Sequence, residues 1–191
     1  MYKKILAFTA VICLIGGTAV FAAEANAGGS KKETLPESQT DRFTVRLTMG
    51  YPNIESEIAM LRDRQGYNPL DLVRPAASAY DIMEMRNKVE NVFRSDAILD
   101  YIVRLVNATR EDSKITLGVS PRGALALSNM SAARAFLHKR DYVIPEDVSK
   151  TFIDVCSHRI ILSAQAKMSD ESCEDVLNGV LRRVDAPTVR G

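Results

Sequence analysis

The sequence predicts a mainly α fold: a helical bundle preceded by one short strand and by an N-terminal signal-like helix. Three observations carry that expectation. Between Ser78 and Val184 apolar residues recur at helical spacing. Helix-start signals punctuate the same region at Ser78, Ser95, Ser120-Pro121 and Pro145-Glu146-Asp147. The run Ile5–Ala23 carries no charge and follows the basic Met1-Tyr2-Lys3-Lys4. With 191 residues the chain has room for one domain, or one domain and part of another. A content of 46% hydrophobic and 26% charged residues excludes long disorder, collagen-like repeats and a multi-span membrane protein.

The elements follow in order. Residues 1–27 have the layout of a secretory signal peptide, with small residues at Val20-Phe21-Ala22 and Ala25-Asn26-Ala27 where a peptidase would cut. An uncleaved membrane anchor is the rival reading. Residues 28–33 are a Gly/Ser/Lys linker. Phe43-Thr44-Val45-Arg46-Leu47-Thr48 alternates apolar and polar, so a half-buried strand is expected there. Gly50-Tyr51-Pro52-Asn53 makes a turn, and Asn53 caps a helix whose apolar face is Ile54, Ile58 and Leu61. Residues 66–77, with Gly66, Pro69 and Pro75, form a second linker.

The bundle is expected over 78–187. Its helix after Ser95 turns Ile98, Ile102 and Leu105 inward, with Leu99 and Val106 widening the face. The helix after Ser120-Pro121 is rich in small residues from Gly123 to Ala135, which permits close helix approach; proline at its first position costs nothing, because that N–H has no helical partner. The helix opened by Pro145 carries Glu146 and Asp147 in its first turn, complementing the dipole, and buries Val148, Phe152 and Val155. Arg159–Leu162 is a candidate short strand. A last helix, about Asp170–Val184, directs Cys173, Val176, Leu177, Val180, Leu181 and Val184 inward.

Charge and composition narrow the function. Lys and Arg number 25 against 24 Asp and Glu, a net charge of +1, which opposes nucleic-acid binding. The only support for it is the cluster Arg134, His138, Lys139 and Arg140. Aromatics are 6% and Trp is absent, so stacking platforms are not expected. Three cysteines make no disulfide scaffold; after export Cys156 and Cys173 would form either a pair or two separate thiols. Cys156 and His158 stand two apart with Cys173 and His138 elsewhere, a poor match to the paired spacing of zinc ligands, so no metal is expected. A Cys–His nucleophile is equally weak. Glu33, Glu37 and Asp41 read as a solvated acidic run.

Several strings in one order resemble the MoxR-type AAA+ ATPases, relatives of the magnesium-chelatase ATPase subunit. Leu35-Pro36-Glu37-Ser38-Gln39-Thr40-Asp41-Arg42-Phe43 is similar to that family's LPEAQLDRF segment. Asp100 to Val106 with Thr109-Arg110, Gly118 to Ala124, Arg140 to Val148 and His158-Arg159-Ile160 follow in the family's order. The resemblance covers about 34–187. It implies an AAA+ helical lid over 78–187, and over 34–65 a C-terminal remnant of the α/β ATPase core, including its last strand.

The resemblance also implies roles. Arg42 stands where the family has the arginine finger that reaches a neighbouring subunit's nucleotide, a guanidinium neutralising charge on the transferring phosphoryl group. Arg122 stands where the family has sensor 2, at a helix start that itself favours an anion. Without the resemblance, Arg42 would be read as a partner for Asp41, and Arg122 as a surface residue. The implied cofactors are ATP and Mg²⁺, and the implied partners are other AAA+ subunits or a protein client. Yet the sequence contains no G-x-x-x-x-G-K-[ST] string to cradle phosphates and no apolar strand ending in Asp-Glu to organise Mg²⁺. The expectation is a lid portion related to ATP hydrolysis but not catalytic alone, with weak or no ATP binding. The alternative is an exported or membrane-anchored helical interaction module, its apolar groups around Phe43, Val45 and Leu47 uncovered. The leader implies export or anchoring; a cytoplasmic location follows if the leader was joined by gene fusion.

Overall fold

A computed structural model describes residues 36–64 and 69–188. The expected leader at 1–27, the linker at 28–33 and the first residues, 66–68, of the 66–77 linker lie outside the described residues. The elements in chain order are α1 (Glu37–Thr40), α2 (Ile54–Asp63), a 3₁₀ turn (Pro69–Leu72), α3 (Ala79–Glu90), α4 (Asp96–Glu111), β1 (Ile115–Leu117), α5 (Pro121–Leu137), α6 (Pro145–Cys156), β2 (Ile161–Leu162), α7 (Ala164–Met168) and α8 (Cys173–Arg183). Among the described residues no helix is long and apolar enough to cross a membrane.

The helix starts are made by the residues that signal them. Ser78, Ser95, Ser120 and Ser172 each accept from a backbone N–H one turn on, and Asp81 and Asp175 complete capping boxes at α3 and α8. Asn53 caps α2 through Ser56 N at 2.9 Å. Inside α4 the buried side chains are Ile98, Tyr101, Ile102, Leu105, Val106 and Thr109, one continuous stripe. Leu99 does not widen that stripe. It sits one residue off the face and is exposed.

Helix α5 is the centre of the bundle and packs against α3, α4 and α6. Gly123, Leu127, Met130, Ser131, Ala132, Ala133 and Ala135 are all buried. Small residues let α6 lie close: the Ser131 and Thr151 hydroxyls meet at 3.4 Å between the two helices. Each hydroxyl also donates to its own helix backbone, so the buried polar groups are satisfied. Around them Leu105, Leu127, Val148, Phe152, Val155, Leu177 and Val180 form a fully buried core.

A two-stranded antiparallel sheet closes one end, with Ile115 opposite Leu162 and Leu117 opposite Ile161. Residues 161–162 thus form half of a strand pair; its partner β1 carries no alternation to announce it. Near the α5–α6 turn, Asp147 is nearly fully buried, and both its oxygens accept from Arg140 at 2.6 and 2.7 Å. Asp147 also accepts from Ile144 N, so one carboxylate folds the turn back onto α6. Two members of the basic cluster, Arg134 and Arg140, are therefore engaged with Asp147.

Three expectations need correction. Residues 43–48 form no strand: the segment is irregular and lies along α6 and the residues after it, with Arg46 N donating to Asp154 O at 2.9 Å. A strand needs a ladder partner, and among the described residues none lies beside it. Phe43, Val45 and Leu47 are consequently half-buried against the bundle rather than uncovered. The apolar face of α2 is the uncovered one, with Ile54 76%, Ile58 49% and Leu61 67% exposed. Finally, the last helix starts slightly later than expected, at Cys173 behind the Ser172 cap, and a separate short helix, α7, precedes it across a turn through Asp170 at φ 55°. Its inward set is as expected, with Val176, Leu177 and Val180 buried.

Candidate functional site: two arginines around a buried ion pair

Arg42 and Arg122 are both exposed. Arg122 lies in the first turn of α5, behind Pro121 and the Ser120 cap, where Ser120 Oγ accepts from Gly123 N at 3.2 Å. Pro121 has no N–H, and the Gly123 and Ala124 amides both donate to Ser120, so the helix dipole is what adds to the guanidinium's pull on an anion.

Asp41, the neighbour of Arg42, points into the bundle. Its two oxygens lie 3.0 and 3.0 Å from Ser120 Oγ, which donates to them while capping α5. The other partner is Arg159, whose Nε donates to Asp41 Oδ1 at 3.2 Å. Asp41 therefore pairs with Arg159, and the simple reading of Arg42 as its partner fails. Nor is Asp41 part of a solvated acidic run.

Arg159 is the residue that the sequence did not single out. Its side chain is 1% exposed. Besides the Asp41 carboxylate it donates to the carbonyls of Asp41, Phe43, Thr44 and Val155. A planar guanidinium with five donors is the one side chain able to serve so many acceptors. Burial lowers its pKa; Cys156 and Asp41 oppose that shift, and nearby Arg122 adds like-charge repulsion. The only signal in the sequence was the His158-Arg159-Ile160 string, and spacing alone does not reveal that residues 41–44 return to it.

His158 supports the same attachment. Its Nε2 lies 2.9 Å from Phe43 O and 2.9 Å from Arg159 Nη1. A proton on Nε2 donates to the Phe43 carbonyl, since both Nη1 hydrogens of Arg159 are given to the Thr44 and Val155 carbonyls. Burial depresses the ring's pKa to about 4, with Arg159 and Arg46 pushing the same way against the Phe43 hydrogen bond and Asp41, so it is neutral at pH 7.

The cysteines do not share this site's chemistry. Cys156 and Cys173 are free thiols, and burial raises Cys156 to about 12, far from a reactive thiolate. Among the described residues no group of His, Cys, Asp and Glu is arranged to hold a metal ion.

The described residues thus form a helical bundle with an exposed arginine in the first turn of its central helix. Residues 107–180 match the family model described as the AAA lid domain. The chain is 36% identical over 156 residues to YeaC of Bacillus subtilis, covering 82% of this chain and 49% of YeaC. It is 35% identical over 164 residues to the chaperone MoxR1 of Mycobacterium tuberculosis, covering 81% of this chain and 43% of MoxR1. A crystal structure of an ATPase candidate from Cytophaga hutchinsonii superposes with a TM-score of 0.74 at 32% identity, over 86% of this chain and 52% of the other. The chain belongs to the MoxR-like AAA+ proteins and spans about half the length of the relatives it matches.

Proposed function

We propose that this chain is a nucleotide-responsive lid of a MoxR-like AAA+ assembly, unable to hydrolyse ATP alone. Arg122 meets the terminal phosphates of ATP, and Arg42 reaches the nucleotide of an adjoining AAA+ subunit. The observation that carries this reading is the placement of an exposed Arg122 on the capped first turn of α5, with the segment of the equally exposed Arg42 tied to the same cap through Asp41. Mg²⁺ and the phosphate cradle would come from residues outside this sequence, which has no P-loop string.

One guanidinium and a helix terminus, screened by water, support a dissociation constant on the order of millimolar or weaker. Titration with ATP followed by NMR should shift the amides of Ser120–Ala124, and Arg122→Ala should abolish those shifts. Micromolar binding, or shifts centred elsewhere, would overturn the assignment. Steady ATP turnover by the purified chain that is lost in Arg122→Ala would overturn the inability to hydrolyse.

The exposed face of α2 favours a second reading, a helical protein-interaction module. Ile54, Ile58, Met60 and Leu61 are all exposed on one helix. Substituting Ile58 and Leu61 by Ser separates the two readings: it removes a protein-docking face and leaves the Ser120–Ala124 shifts intact.

A further inference from the structure

We infer that Arg159, Asp41 and Ser120 form a clasp that couples the two phosphate-facing arginines, with Arg159 as its positioning residue. The inference rests on the reading of Arg42 and Arg122 above and adds a link between them. The path is short. Arg42 is bonded to Asp41, the Asp41 carboxylate accepts from Ser120 Oγ, and Ser120 caps the helix whose second residue is Arg122. Arg159 holds the other side of Asp41 and the carbonyls on both flanks of Arg42, those of Asp41 and Phe43. Arg42 therefore has its backbone fixed before and after it while its own side chain is exposed.

The space for the clasp is built into α5. A Cβ on Gly123 would stand 2.9 Å from Arg159 Cδ and 2.4 Å from Val119 Cγ1. Only glycine lets the Arg159 stem pass beneath the first turn of the helix. A guanidinium needed only to fill the core would not require that passage; an apolar side chain of similar volume does the same at no desolvation cost. The consequence is that an anion drawing Arg122 and the α5 N-terminus moves Ser120, and with it Asp41 and Arg42. Occupancy sensed in one subunit is thereby transmitted to the arginine that faces its neighbour.

The test uses the full chain with a nitroxide at position 122, from Arg122→Cys in a Cys13→Ser, Cys173→Ser background; the buried Cys156 stays unlabelled. Paramagnetic broadening falls steeply with distance, so the Arg42 and Phe43 amides should be strongly broadened. In Arg159→Lys, which keeps the charge and loses the fork, and in Asp41→Ala, that broadening should fall by about twofold or more as the segment opens locally. Broadening at Ala126 and the helical circular dichroism should stay constant, which a general loss of structure would not allow. Unchanged broadening at Arg42 in either variant would overturn the clasp. If Arg159→Lys fails to fold, Asp41→Ala decides. A second arm titrates the unlabelled chain with inorganic triphosphate. Shifts at Ser120–Ala124 should be accompanied by a shift at Arg42, and Asp41→Ala should lose only the latter. A persisting Arg42 shift in Asp41→Ala would overturn the coupling. No shift at Ser120–Ala124 in the unaltered chain would instead refute the phosphate reading of Arg122, leaving the broadening to judge the clasp.

Discussion

Gly123 and Arg159 are complementary: the missing side chain of one is the channel for the other, across the first turn of α5. Alanine normally stabilises a helix interior over glycine by about 1 kcal/mol. Here the added Cβ meets Val119 and the Arg159 stem, and overpacking of this kind costs about 1–3 kcal/mol. Overpacking should win. Gly123→Ala is expected to lower the thermal midpoint and free residues 41–46 to early proteolysis; an unchanged or raised midpoint would contradict this.

Arg140→Ala removes the bidentate partner of a carboxylate that is 2% exposed. Arg134 Nε at 3.6 Å is too distant to replace it. Leaving Asp147 buried and poorly paired should cost about 3 kcal/mol. Chemical denaturation should show the midpoint falling with an unchanged slope. Arg140→Lys should recover only part of the loss, because an ammonium does not form the fork.

His158 sets a pH dependence. Its pKa falls from 6.5 when unfolded to about 4 when folded, so between those values the unfolded state binds more protons. The stability associated with the neutral ring is complete above pH 6.5 and is lost progressively as pH falls towards 4, by up to about 3 kcal/mol. Protonation also sets a cation beside Arg159, so residues 41–46 should loosen first. Thermal midpoints measured from pH 7.5 to 4.5 should fall, and His158→Gln should flatten the curve over that window. Equal slopes for the two chains would assign the acid sensitivity to other groups.

On α2, Ile58→Ser combined with Leu61→Ser should change folding stability by no more than about 0.5 kcal/mol, since both side chains are exposed. Solubility should rise. A large loss of stability would mean that this face is covered in solution.

The bundle was legible because its signals are local. Ser95 caps α4, Ser120-Pro121 opens α5, and the spacing of Val176, Leu177 and Val180 marks the face of α8. What failed depends on neighbours distant in the chain. The alternation of Phe43–Thr48 is compatible with a strand but does not supply a ladder partner, and the helical spacing of Ile54, Ile58 and Leu61 does not supply a surface to cover them. β1 is three residues long, too short to display a period. At the site, the resemblance drew attention to Arg42 and Arg122, whereas the arginine with the most hydrogen bonds, Arg159, became visible only when residues 118 positions apart met.

Residues 41–46 carry a mechanical consequence. Among the described residues they join no sheet; besides the half-buried Phe43 and Val45, their hold on the bundle is the Arg159 fork, the Ser120 and His158 bonds and the Arg46 amide. The buried side chains of α4, α5, α6 and α8 belong to one contiguous apolar cluster. A pull applied from the N-terminal side is therefore borne first by a handful of polar bonds clustered at one end of α5. These give way one after another, and the force reaches the interlocked helices only once that short seam has parted.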